Sequence, residues 1–157
     1  MMAEDNRRLP RIPLAESPEL CAALAVAGFV EVGLRVTTLP RLARALGTPL
    51  SVSEPGTGEA VAEPQEPVAL PASAERQVRA TGRILRHWPF GDTCLRQALI
   101  SGQRMRRLGP TLHVGVAKLD GEIRAHAWLV VRGGVVDPRY AASSYRTLTA
   151  VPNTFTA

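Results

Sequence analysis

The sequence predicts an α+β fold in which a cysteine-bearing helix packs on a small antiparallel sheet, preceded by a short helical module. Three observations predict it. Apolar residues recur at helical spacing over 18–47 and again from 74 to about 109. Residues 111–131 instead alternate with period two about an Asp120-Gly121 turn. Between the two helical regions the chain turns rich in Pro and Glu. The organisation expected is an N-terminal helical module over 1–47, a linker over 48–73, and a domain carrying the chemistry over 74–157.

The first helix opens at Ser17, a candidate N-cap followed by Pro18, and continues through Leu20-Cys21-Ala22-Ala23-Leu24. Gly28 and Gly33 weaken its middle, and Pro40 is expected to break it. Leu39, Leu42, Ala43 and Leu46 then give one apolar face to a second short helix ending at Gly47. Cys21 lies within the apolar pattern, and a buried, inert thiol is expected there. From Thr48 to Ser73, with prolines at 49, 55, 64, 67 and 71, too little apolar surface is present to offset the entropy of ordering, so an extended or disordered connection is expected.

Ala74, Val78, Thr81, Leu85 and Trp88 mark one side of a third helix that Pro89 stops. Asp92 or Thr93 can cap a fourth, with Leu95, Ala98, Leu99, Gly102 and Met105 as its apolar stripe and Gly109-Pro110 as its end. Leu112, Val114 and Val116 alternate along a first strand. Residues 123–131 form a second, and Gly133-Gly134 turns into a third that starts at Val135 and that Pro138 keeps from a central position.

No stretch approaches the roughly 18 to 20 apolar residues of a membrane span, and Met1 to Arg11 lacks the apolar core of a secretory signal, so a cytoplasmic protein is expected. Cys21 and Cys94 show no CxxC spacing, which argues against a disulfide framework or a zinc knuckle. The net charge of +5 suits an acidic partner. All but one of the 19 basic residues are Arg, scattered among apolar positions rather than gathered into an aromatic-rich strip. That scatter points away from nucleic acid and towards a solvated surface or one facing an acidic peptide or protein.

Three residues could carry chemistry. Cys94 falls in the first turn of its helix, where unpaired N–H groups and the helix dipole favour negative charge on sulfur and could also receive an oxyanion. Packing of a small apolar side chain explains the position equally well. His126 shares a strand face with Arg124, Trp128 and Val130, while Ile123, Ala125, Ala127, Leu129 and Val131 form the face expected to be core. Trp128 could line a substrate groove. Asp137 could orient the imidazole, but a two-residue Gly133-Gly134 turn would set it opposite Val130, several residues from His126, so a bulge or another turn is needed. Structural histidine and strand-end aspartate are the plainer readings. His113 is a rival base without a matching carboxylate, and His87 stands at a helix end. Cys94, His113, His126 and Asp137 lack ligand-like spacing, and no glycine-rich phosphate loop is present, so neither metal nor cofactor is expected.

In order, these motifs are Trp88-Pro89, Thr93-Cys94-Leu95 opening a helix that closes with Arg106-Arg107-Leu108-Gly109, Ala125-His126-Ala127-Trp128, and Val135-Val136-Asp137. The series resembles the transglutaminase-like cysteine peptidases of lasso-peptide biosynthesis over about residues 74–140, and the apolar N-terminal helices look like that family's leading region. The resemblance implies a papain/transglutaminase-like core with Cys94 as nucleophile, His126 as general base and acid, and Asp137 as the orienting carboxylate. It implies a precursor-peptide substrate cut at the leader–core junction, a separate leader-binding protein that delivers it, and an ATP-dependent cyclase resembling asparagine synthetase that closes the ring. The chain departs from the family pattern after Cys94-Leu95, where Arg96 is followed by Gln97-Ala98, so no family role is carried over to that Arg. Two other functions fit the residues: acyl transfer to an amine by the same triad, and a non-catalytic basic module that binds protein or nucleic acid.

Overall fold

The computed structural model describes residues 17–51, 68–119, 121–138 and 146–147. Four helices, α1 (Ser17–Val36), α2 (Leu39–Ala45), α3 (Ala72–Leu85) and α4 (Cys94–Arg104), surround one side of an antiparallel sheet. Its strands are β1 (Thr111–Leu119), β2 (Glu122–Val131), β3 (Gly134–Val136) and the two-residue β4 (Arg146–Thr147), in the order β3-β2-β1-β4. The α+β class with a cysteine-bearing helix on a small antiparallel sheet is thus observed.

α1 buries Ala23, Ala27 and Val30 at spacings of four and three, and leaves Leu24, Phe29, Val32 and Val36 exposed. Cys21 belongs to the outer side and is exposed, not buried as expected. An all-apolar stretch conceals which face meets the core, and the small residues, not the large ones, face inward here. Gly28 and Gly33 do not interrupt the helix. At Gly33 the missing Cβ makes room for the side chain of Leu42 on α2. The chain leaves α1 before Pro40: Thr38, in an extended conformation, caps α2, and the proline stands in α2's first turn, where its missing N–H costs nothing. Among the described residues, no helix is long and apolar enough to cross a membrane.

α4 is the centre of the packing. It lies against α1, α3 and β2, and all residues from Gln97 to Gly102 are buried, so the stripe read from the sequence widens to nearly the whole circumference. Gly102 is where Thr48 comes closest, the Thr48 methyl occupying the place a Cβ would take. Ala27, Val30, Leu42 and Leu46 join Leu99, Ile100, Leu112 and Leu129 in one continuous core.

Most of the Pro/Glu-rich stretch, 52–67, lies outside the described residues. Its described ends are tied to the sheet: Leu112 N–H donates to Pro49 O at 2.9 Å, Ser51 N–H to Leu112 O at 2.8 Å, and Val68 N–H to Val135 O at 3.1 Å. β1 and β2 pair from Thr111↔Val130 to Leu119↔Glu122, a register that leaves two residues for the turn. Asp120 itself lies outside the described residues. Ala127, Leu129 and Val131 are buried as expected, but Ile123 is 80% exposed and Ala125 is exposed. The core face of β2 exists only along the half that the helices cover.

Gly28 and Gly102 make opposite predictions. Nothing lies within 4 Å of a Cβ built at Gly28, so Gly28→Ala should stabilise the protein by about 0.5–1 kcal/mol through helix propensity. Gly102→Ala must displace a β-branched side chain in a filled core and should cost about 1–3 kcal/mol. Urea unfolding of both variants measures the two signs, and equal effects would refute the close approach at Gly102.

Candidate active site

Cys94 is the first residue of α4, half-buried, and free. Thr93 is the N-cap. Its hydroxyl accepts from Arg96 N–H at 3.3 Å while its carbonyl accepts from Gln97 N–H at 3.0 Å. The cap uses the N–H two residues after Cys94. The N–H groups of Cys94 and Leu95 belong to the first turn and have no carbonyl partner within the helix, so the helix presents them beside the sulfur.

His126 Nε2 lies 2.9 Å from Asp137 Oδ2, and both side chains are about 95% buried. The turn explains why the carboxylate reaches. Arg132 and Gly133 both have positive φ, 51° and 82°, the signature of a type I′ hairpin turn. The turn therefore sits one residue earlier than the expected Gly133-Gly134, and the register runs Val131↔Gly134, Val130↔Val135 and Leu129↔Val136. Continued by one residue, it sets Asp137 beside Trp128 instead of Val130, diagonal to His126 and within side-chain reach.

Trp128 is buried, only 3% exposed. Its indole lies nearly parallel to both His126 (6.0 Å between centroids, 21°) and His113 (5.9 Å, 24°). Its place in the structure is thus beside the imidazoles. His113 is half-buried and contacts Thr111 Oγ1 at 3.3 Å through Nε2. Burial pushes its imidazole below the ordinary value of 6.5, so it is neutral at neutral pH. No carboxylate among the described residues pairs with it.

Cys94, Asp137, Trp128, Gln97, Ser101 and Pro138 line one small pocket between α4 and the β2–β3 edge. Of the three residues singled out from the sequence, Cys94 and Asp137 line the same pocket, and His126 contacts Asp137 without lining the pocket itself. The buried Ser101 Oγ and Trp128 Nε1 have no hydrogen-bond partner there. Gln97, assigned no role from the sequence, contributes a buried side chain to the same pocket. Among the described residues, no cluster of three or more His, Cys, Asp or Glu could hold a metal ion.

A second feature passed unnoticed in the sequence. Glu31, buried in α1, accepts from Arg96 Nε at 2.8 Å on Oε2 and from Arg96 Nη2 at 3.3 Å on Oε1. Trp88 Nε1 adds a 3.4 Å bond, Arg35 pairs with Oε1 at 2.8 Å, and the Arg35 guanidinium covers the Phe90 ring. The hydrogen-bonded Arg96 holds the Glu31 carboxyl below the ordinary glutamate value of 4.5. Burial opposes this, while Trp88 and the charges of Arg96 and Arg35 add to it. The available signal was that Glu31 is the only charged residue between Glu19 and Arg35. Arg96 thus has a definite place, two residues from Cys94, anchoring the start of α4 to α1.

Compared with known proteins, the sequence matches the family described as the transglutaminase-like superfamily over residues 33–150. None of the curated proteins and none of the solved structures gives a significant match.

The Glu31 knot makes stability depend on acid. A carboxylate whose value is lowered on folding contributes fully above its unfolded value, near 4.5, and loses that contribution as pH falls through the lowered folded value. Glu31→Gln should lower the thermal midpoint at neutral pH by several degrees and flatten its decline on acidification. Thermal unfolding of both proteins from neutral to acid pH checks this, and parallel curves would contradict it.

Proposed function

Because the chain belongs to the transglutaminase-like superfamily, which includes cysteine proteases, we propose that it is a cysteine peptidase that removes the leader from a lasso-peptide precursor. The observation that carries the catalytic reading is the buried 2.9 Å contact of His126 with Asp137, a residue that shares a pocket with Cys94 at the start of α4. The leader-removing reading rests on the resemblance of the Thr93-Cys94-Leu95, Ala125-His126-Ala127-Trp128 and Val135-Val136-Asp137 motifs to the lasso-peptide peptidases.

Each residue has a role in that reaction. Asp137 accepts a hydrogen bond from His126 Nε2, which fixes the ring and leaves Nδ1 as the nitrogen that exchanges a proton with Cys94. The Cys94 sulfur attacks the scissile carbonyl, and the N–H groups of Cys94 and Leu95 receive the developing oxyanion. His126 gives its proton to the leaving amine as the carbon–nitrogen bond breaks. A water then donates a proton to His126 as it attacks the thioester, releasing the leader's carboxyl end and restoring the thiol.

In the same proposal the protein works in the cytoplasm. A separate leader-binding protein delivers the precursor, and an ATP-dependent, asparagine-synthetase-like cyclase uses the amine that is freed. The family match and the absence of a membrane-crossing helix among the described residues are compatible with that setting.

Mass spectrometry of the precursor incubated with the protein tests the reading, with and without the leader-binding protein. Wild type should release the core at one bond, faster with the partner, and Cys94→Ala should lower the rate by at least about a thousandfold. Asp137→Ala should reduce kcat about a hundredfold or more with little change in KM. Equal cleavage by wild type and Cys94→Ala would discard the nucleophile, and no cleavage by wild type with its partner would favour a binding module. Because Cys21 is exposed, inactivation by alkylation should be read on Cys21→Ser, where iodoacetamide should still abolish cleavage.

A further inference from the structure

Beside the Cys94 pocket lies a second, wider depression whose chemistry the peptidase reading does not use. Arg79, Arg83 and Arg86 form one wall: Arg79 and Arg83 lie four residues apart on one face of α3, and Arg86 follows three residues later at its C-cap. Gln97, Pro138 and Asp92 complete it. Gln97 and Pro138 line both depressions, so the two adjoin. The space, about 630 Å³, is in the range of clefts that take small ligands or a few residues of a peptide.

The charge of this trough is unbalanced, with three guanidinium groups facing one carboxylate. Arg83 and Asp92 each have partners within the chain, which leaves Arg79 and Arg86 to meet a ligand. Among the described residues Arg79 pairs with Glu75 alone, at 3.6 Å, with both side chains more than half exposed, an ion pair that a ligand can displace at little cost. Arg86 is exposed and has no ionic partner among the described residues. Arginine's planar fork matches a carboxylate with two parallel hydrogen bonds. Among the described residues no aromatic side chain lines the trough, and without one these residues supply no stacking platform of the kind a single-strand nucleic-acid site uses.

We infer that the Arg79–Arg86 face of α3 is a carboxylate-binding subsite that takes an acidic side chain of the substrate peptide within a few residues of the bond presented to Cys94. Calling the ligand a substrate rests on the peptidase reading; the carboxylate site itself does not. Gln97, at the junction of the two depressions, is placed to hydrogen-bond the peptide between them. The subsite makes the protein selective for acidic peptides through KM.

The test reads binding on full-length Cys94→Ala, which cannot turn over. The arginine Nε–H signals and the Gln97 side-chain amide are followed by NMR while a blocked hexapeptide with two central glutamates is added. Its two-lysine counterpart and a ten-residue oligothymidylate are titrated in parallel. The glutamate peptide should shift Arg79, Arg86 and Gln97 saturably, and more weakly as salt is raised. The lysine peptide should shift none of them. Arg79→Gln combined with Arg86→Gln should weaken binding by about tenfold, whereas Arg76→Gln, on the same helix outside the trough, should bind as before. No response, an equal response to the lysine peptide, tighter binding of the oligothymidylate, or an unaffected double variant would overturn the inference. None of these outcomes touches the role of Cys94, which the cleavage assay decides separately.

Discussion

The position of Cys94 depends on a carboxylate that takes no part in its chemistry. Glu31 sits buried on α1 and grips Arg96 with both oxygens, while Trp88 and Arg35 bind the same group. Three pieces of chain that are distant in sequence meet there: α1, the turn after α3, and the first turn of α4. A buried charge is tolerable only where its partners replace the water it loses, and a bidentate guanidinium with an indole N–H does so directionally. The directionality fixes the start of α4. A purely apolar contact would have left the helix, and Cys94 as its first residue, free to slide along α1 by small amounts.

The second constraint is the tight turn at Arg132-Gly133. In a hairpin the side-chain period is two, and moving the turn by one residue moves every cross-strand pair by two. Asp137 therefore faces Trp128 instead of Val130, near enough for its carboxylate to reach His126. Arg132 accepts a positive φ for this, a conformation that side-chain-bearing residues avoid and that glycine at 133 adopts without strain. The local backbone cost at one exposed arginine is offset by a buried imidazole–carboxylate contact.

Much of this was legible in the sequence, and the failures have definite causes. The helix start at Thr93-Cys94, the β1–β2 hairpin and the α+β class follow from capping chemistry and from periodicity, which are local properties. The His126–Asp137 pairing was visible only as a conflict, because two adjacent glycines leave the turn position undetermined by one residue. Cys21 was misplaced because every face of α1 is apolar, and the choice of the inner face is made by Ala23, Ala27 and Val30, whose small size lets α1 approach its neighbours closely. Ile123 was misplaced because strand alternation says which residues share a face but not how far along the strand that face is covered. Glu31 escaped because a lone acid in an apolar helix reads as an interruption until its partner, far along the chain at Arg96, is known.

Trp128 connects these constraints. It is nearly parallel to both imidazoles and lies next to Asp137 in the register, so the histidine, the carboxylate and the indole form one packed unit on the sheet. The ring is almost wholly buried, and it packs beside the imidazoles while also lining the pocket that Cys94 and Asp137 share. Gln97 and Pro138 line the side of the pocket away from the sheet and lead on towards α3. The two neighbourhoods differ accordingly: the His126–Asp137 contact is buried on the sheet, while Arg79 on α3 and Arg86 just beyond it are exposed.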